Sequence, residues 1–185
     1  MQINIKDKKN KKYLGKQSLK VVAFLFILVL GAKITVPLGN GIPFTLQTLA
    51  LSLGYYYLTK PQRILSIIVY LLFGIVGLPV FSQGAGIDYF VSWPIGFFLG
   101  FVLTSTIVAN KKSWLFTLLY FIQIHSVVVL CGFVGLIAHS MAFSKAINEI
   151  LHLLPGMIIK SLLGTFIVYL IDSIYRGKMP NKSLF

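Results

Sequence analysis

The sequence predicts an all-α integral membrane protein, a six-transmembrane-helix bundle with N and C termini cytoplasmic. Three observations carry that fold class. Of 185 residues, 57% are hydrophobic and only 11% are charged, far from the balance of a water-soluble domain. The ionised residues fall in short stretches, with long uncharged segments between them. Those stretches are strongly basic on alternate connections, as a chain threaded through a membrane requires.

The spans are expected at 19–37, 44–59, 62–78, 93–109, 114–138 and 151–174. The first ends at Val36-Pro37, before the turn-rich Leu38-Gly39-Asn40-Gly41. The second follows Pro43. Thr59-Lys60-Pro61-Gln62-Arg63 makes a tight hairpin to the third, and Pro61 suits the first turn of a helix, where a missing N–H is harmless. The third stops at Gly77-Leu78-Pro79. A long apolar loop over 80–90 follows, read either as a headgroup-belt segment or as a lid folded over a cavity. The fourth span carries Gly96-x-x-x-Gly100, suited to close helix packing. Asn110-Lys111-Lys112-Ser113 leads to the fifth, and 139–150 leads to the sixth.

Charge then sets orientation and domain limits. A basic cytoplasmic tail (1–18) precedes the membrane domain (19–175), and a short cytoplasmic tail (176–185) follows. Inner segments hold Lys6, Lys8, Lys9, Lys11, Lys12, Lys16, Lys20, Lys60, Arg63, Lys111, Lys112, Arg176, Lys178 and Lys182; the outer ones hold Lys145. The net charge of +13 reads as an anchor on anionic membrane lipid, not as a nucleic-acid surface. The start looks like a secretion signal, but no A-x-A site follows, so a retained first helix is expected. The lone Cys131 allows no intrachain disulfide and no multi-cysteine metal site.

Nothing marks an enzyme. There is no phosphate loop, no H-E-x-x-H and no G-x-S-x-G, and four acidic residues leave little general-base chemistry. No metal site is expected from the three scattered histidines, and interhelical hydrogen bonding is the reading for His125.

The residue out of place is Lys160, in the apolar run Leu153-Leu154-Pro155-Gly156-Met157-Ile158-Ile159-Lys160-Ser161-Leu162-Leu163. A lysine at the centre of a membrane helix costs about 2.5–3.5 kcal/mol. With Pro155 taken as the helix start, Lys160 lies roughly 7 Å in. It either binds something negative or forms an internal ion pair there, or it snorkels to the headgroups. For Lys33, near the end of the first span, snorkelling is the reading ahead of a place beside Lys160 among the polar groups of an anion-binding cavity. A mostly apolar small-molecule cavity is expected near the outer ends. Thr35, Thr45, Gln47 and Thr48 would be polar groups from the first two spans. Gln83, Asp88, Gln123 and His125 would add to Lys160. Phe81 and Tyr89 would exclude water, and Gly84 and Gly86 would let the loop turn sharply.

Four stretches resemble one family. Ile34-Thr35-Val36-Pro37-Leu38 with Pro43-Phe44-Thr45-Leu46-Gln47-Thr48-Leu49-Ala50 is the first. The second is Tyr70-Leu71-Leu72-Phe73-Gly74-Ile75-Val76-Gly77-Leu78-Pro79-Val80-Phe81, followed by Gly84 and Gly86. Ser92-Trp93-Pro94-Ile95-Gly96-Phe97-Phe98-Leu99-Gly100-Phe101 resembles G-P-T-x-G-Y-L-x-G-F. Pro155-Gly156-Met157-Ile158-Ile159-Lys160 resembles P-G-D-L-I-K. Together they are similar to the BioY family, the substrate-binding (S) components of energy-coupling-factor biotin transporters. The chain departs from the family at Met157, where the acid stands, at Ser92-Trp93-Pro94, and in the first helix. There the family's A-x-x-x-A becomes Ala23 and Ile27.

The resemblance implies biotin capture and uptake across the cytoplasmic (inner) membrane by a multi-pass subunit. Its partners would be a transmembrane coupling subunit and a cytoplasmic ATPase pair. Biotin would be substrate, and no cofactor is expected. The implied biotin-binding set is Lys160, Gln47, Thr45, Gln83, Asp88, Phe81 and Tyr89, with Lys160 taking the carboxylate. Two alternatives stand beside this: an uptake subunit for another vitamin or small organic anion, and a structural membrane protein with no small substrate.

Overall fold

A computed structural model of the chain describes residues 5–36, 42–111 and 113–177. The described residues form α1 (Ile5–Lys33), β1 (Thr35–Val36), β2 (Phe44–Thr45), α2 (Gln47–Tyr57), α3 (Lys60–Ile75), α4 (Gly86–Phe90), α5 (Ile95–Thr104), α6 (Trp114–Ala138) and α7 (Phe143–Gly177). The turn expected at 37–41, Lys112 and the tail from 178 onward lie outside the described residues.

Six of these helices correspond to the six apolar segments, with shifted ends. α1 starts at Ile5 and not at 19, so the basic stretch continues into the helix. It stops at Lys33 because Thr35-Val36 pairs antiparallel with Phe44-Thr45, Thr35 opposite Thr45. Extended backbone there moves the start of α2 from 44 to Gln47. α5 ends at Thr104, short of 109. The loop expected at 139–150 is mostly helix, since α7 begins at Phe143.

Pro155 therefore does not mark a helix start; it stands inside α7. Its ring removes the N–H that the Leu151 carbonyl would accept. Helices in apolar surroundings tolerate this when neighbouring groups take up the freed carbonyl.

Local chemistry sets the turns. At α3 the Gln62 side chain accepts from the Thr59 N–H (2.9 Å), closing the hairpin from α2. The same helix ends in a left-handed Gly77 (φ +98°), with the Leu78 N–H on the Phe73 carbonyl and the Gly77 N–H on Gly74. This two-bond cap requires a residue at positive φ, which glycine adopts without strain. α6 ends the same way on Ser140 (φ 60°), with Met141 N–H on Leu136, and the chain reverses at once into α7.

Packing is closest between α5 and α6. A Cβ on Gly96 would strike the Cys131 carbonyl and Gly135, and one on Gly100 would strike the Val128 backbone. The two backbones touch directly, as small residues allow in apolar surroundings. Above this contact lies an aromatic cluster of Tyr70, Phe81, Phe90, Phe98 and Phe101. The Phe81 and Phe98 centroids are 4.5 Å apart. At the far end of the molecule Arg63 is buried and donates to the carbonyls of Leu58 (2.8 Å) and Ile107.

Large apolar side chains also point outward, among them Phe26, Leu72, Leu99, Val134, Ile159 and Phe166. By length and composition, α6 and residues 143–174 of α7 are able to cross a membrane.

Candidate functional site

A cavity of about 80 Å³ opens at the end where α1 stops and α2 begins. That is room for several waters. Its walls come from four parts of the chain. β2 and the start of α2 give Phe44, Thr45, Gln47 and Thr48. The segment before α5 gives Ser82, Tyr89, Trp93 and Pro94. α5 gives Phe97, Phe98 and Phe101. α6 and α7 give His125, Val128, Leu153, Met157 and Lys160. Among the described residues no carboxylate is in this wall. A second cavity, about 570 Å³, lies near Lys111 and Asp172, and none of the candidate residues lines it.

Lys160 is 8% exposed, which places it inside the protein and not in a headgroup layer. Its ammonium donates to the Thr48 hydroxyl (2.7 Å) and the Thr45 carbonyl (3.3 Å). The Phe44 ring centroid lies 4.5 Å away, within cation–π range. Among the described residues no carboxylate lies within ion-pairing distance of it. An ammonium has three N–H donors. Two are matched by neutral acceptors here, and among the described residues no opposite charge offsets the ammonium.

The sequence around the lysine builds this setting. Strand pairing fixes Phe44 and Thr45, and the Ile42 N–H is held by the Glu149 carboxylate at 2.9 Å. A Cβ on Gly156 would collide with the Phe44 ring, so the glycine lets an edge of that ring approach α7, beside Lys160.

Gln47 is buried and donates to the Tyr70 hydroxyl (2.7 Å), which donates to the Val80 carbonyl (2.9 Å). This relay ties α2 and α3 to the loop at the cavity mouth. His125 is 1% exposed. Its Nδ1 lies 2.7 Å from the Phe121 carbonyl and 3.2 Å from the Ser161 hydroxyl, so it does bridge α6 and α7. Tyr89 packs its ring over Gly84. Burial pushes its phenol above the usual range, and hydrogen bonds with Ser82 and the Gln83 backbone pull it part of the way back.

Thus Thr45, Gln47, Tyr89 and Lys160 come together at one cavity. Three expected members do not. Phe81 is fully buried, with its ring over Gly74 and against Tyr70 and Phe98; it anchors the loop in the core behind the cavity. Gln83 and Asp88 are exposed and outside the wall. Gln123 likewise faces outward. Gly86 has φ +86°, a backbone state that disfavours side chains. Lys33, read as a snorkelling residue, donates to the Phe81 carbonyl at 2.6 Å.

The residues missed were Tyr70 and the α5 aromatics. Phe97 and Phe101 are four apart and Phe98 and Phe101 three apart, so one helix face carries them; that spacing was the available signal. Tyr70 had none, because its partner Gln47 lies 23 residues away. Chemically, the arrangement offers an aromatic bed, neutral donors and acceptors, and one buried cation. It suits binding of a small molecule with an apolar body and an acceptor or anionic end.

Comparison with known proteins gives a consistent result. The model of the BioY family matches residues 6–177. "Biotin transporter BioY" of Thermotoga maritima is 37% identical over 102 residues, 53% of this chain and 60% of that protein. "Probable biotin transporter BioY" of Lysinibacillus sphaericus is 38% identical over 88 residues, 48% of this chain and 44% of that protein. The chain thus spans less than two thirds of either. "Probable biotin transporter BioY" of Rickettsia prowazekii is 24% identical over 164 residues, 85% of this chain and 84% of that protein. Among solved structures, the S-component for biotin from an ECF-type ABC transporter matches with a TM-score of 0.65 at 21% identity. That match covers 93% of this chain and 95% of the other, and it shows a shared fold.

Proposed function

The chain belongs to the BioY family, and on that premise we propose that it is the biotin-capturing subunit of an energy-coupling-factor uptake system. It is a membrane protein, and the family consists of transporter components, not enzymes. The observation that carries the reading is the buried Lys160 ammonium facing an aromatic cavity with only neutral partners. Biotin has an apolar ring and tail, a polar ureido head and a carboxylate. The Phe97, Phe98 and Phe101 side chains suit the first, Gln47 and the threonines the second, and Lys160 the third.

Six spans with both termini cytoplasmic fit this role and the alternating basic connections. The cavity then opens outward, where biotin arrives. Residence in the cytoplasmic membrane follows from the same reading. With no phosphate-binding loop in the sequence, energy for uptake comes from partners: a transmembrane coupling subunit and a pair of ATPases. Ser82, Tyr89 and Trp93 belong to a segment that closes over biotin, turning at Gly86 while Gly84 makes room for the Tyr89 ring and Phe81 stays fixed in the core.

Binding of labelled biotin to the purified protein tests this directly. Saturable binding, competed by biotin and by no other vitamin in a panel, is expected. Uptake in a biotin-requiring host should need the coupling module. No saturable binding, or equal competition by unrelated vitamins, overturns the reading.

A further inference from the structure

His125 has one polar atom with nothing to do. Its ring is shut inside the protein, yet the residue lines the cavity. Nδ1 lies 2.7 Å from the Phe121 carbonyl. A carbonyl only accepts, so the proton of the neutral ring is on Nδ1, and Nε2 carries the lone pair. The Ser161 hydroxyl 3.2 Å from Nδ1 donates to the Met157 carbonyl at 2.8 Å, so it too is oriented by the backbone. Nε2 is buried and has no hydrogen-bond partner among the described residues. A buried acceptor without a donor is costly and rare in native proteins.

The rest of the wall is rich in donors. Lys160 has only donors, and the Thr48 hydroxyl already accepts from it. The position three residues before the lysine is Met157, and among the described residues no carboxylate stands in the wall. A ligand with both a carbonyl and N–H groups needs acceptors as well as donors, and beside the Gln47 amide oxygen and the wall hydroxyls His125 Nε2 is an acceptor left without a partner among the described residues.

We infer that His125 is a specificity-determining contact, whose Nε2 accepts a hydrogen bond from a ureido N–H of biotin. This rests on the biotin reading above and adds the residue that tells a urea from an analogue lacking its N–H. The hydrogen bonds to Phe121 and Ser161 position the ring, and Nε2 makes the contact.

The test pairs side-chain variants with altered ligands. In His125→Phe, which keeps a ring and loses both nitrogens, biotin binding should weaken roughly tenfold or more, as expected for leaving a polar partner unmatched. His125→Gln places an amide oxygen near the Nε2 position and should recover much of the loss. His125→Asn reproduces only the Nδ1 end and should not. Biotin methylated on the ureido nitrogens should bind wild type weakly and lose little more in His125→Phe. If a variant fails to accumulate, wild-type protein with ¹⁵N-labelled histidine answers the same question. Saturating biotin should shift the unprotonated ring nitrogen of His125 upfield.

Three results overturn the inference while leaving biotin capture standing: full binding by His125→Phe, rescue by asparagine and not glutamine, or an unmoved nitrogen signal in protein saturated with biotin. Failure of the wild type to bind biotin at all removes the reading beneath it.

Discussion

The Phe44 ring occupies the space in which a side chain on Gly156 would begin. One glycine on α7 thus decides where an aromatic ring from β2 lies relative to Lys160. Gly156→Ala should displace that ring and with it the cation–π contact. A two- to thirtyfold loss of biotin affinity is expected, roughly the range such contacts span. Protein yield should change little, because a ring edge moves more easily than backbone. Unchanged affinity in a titration of purified variant would show that the ring is not needed.

Lys160→Ala should weaken biotin roughly ten- to a hundredfold, the span of a charge-assisted hydrogen bond. Biotin methyl ester should lose far less, since it presents no carboxylate. Paired titrations of acid and ester separate the possibilities. Equal losses would reassign the lysine from the carboxylate to another acceptor on the ligand.

Met157 stands where the resembled P-G-D-L-I-K pattern has an acid, on the same helical face as Lys160 at i, i+3. Met157→Asp should pair with the lysine and compete with an anionic ligand. Weaker biotin binding is the expected outcome, with the desolvation of a buried ion pair adding to the loss. Tighter binding in calorimetry at matched pH would mean that the acid touches the ligand itself.

The segment after Phe81 should move as a lid. Spin labels at Asp88 and His139, both exposed, in a Cys131→Ala background would report it. Saturating biotin should narrow the distance distribution between them. An unchanged distribution removes the lid and leaves a static rim. Phe81→Ala should instead destabilise the protein by about 3–5 kcal/mol, as for other buried phenylalanines, because the ring is a core anchor.

Much of this was legible because membrane chains are written in coarse terms. Apolar length and basic connections mark six segments without any tertiary knowledge, and a cation inside such a segment announces itself, as Lys160 does. The failures share a different origin. A loop aromatic such as Phe81 carries the same local signal whether it covers a ligand, floats in a headgroup layer or plugs a core. Only Gly74, which leaves room for its ring, decides, and that pairing is tertiary. Gln83 and Asp88 are polar in a loop next to the cavity, yet their side chains face away. Pro155 reads locally as a helix boundary, and packing overrides that rule. The orphaned nitrogen of His125 depends on which carbonyl and which hydroxyl its other nitrogen meets.

The partners of Lys160 lie 112 and 115 residues earlier in the chain. That separation has a consequence for biogenesis. The Thr45 carbonyl and the Thr48 hydroxyl are already synthesised when the last helix leaves the ribosome, and Lys160 enters the bilayer without a local neighbour to match its charge. At about 2.5–3.5 kcal/mol for a lysine at mid-depth, the final helix does not seat well as an isolated insertion. Docking of α7 against β2 and α2 supplies both acceptors, so closing of the bundle and completion of the proposed biotin site are expected in the same step.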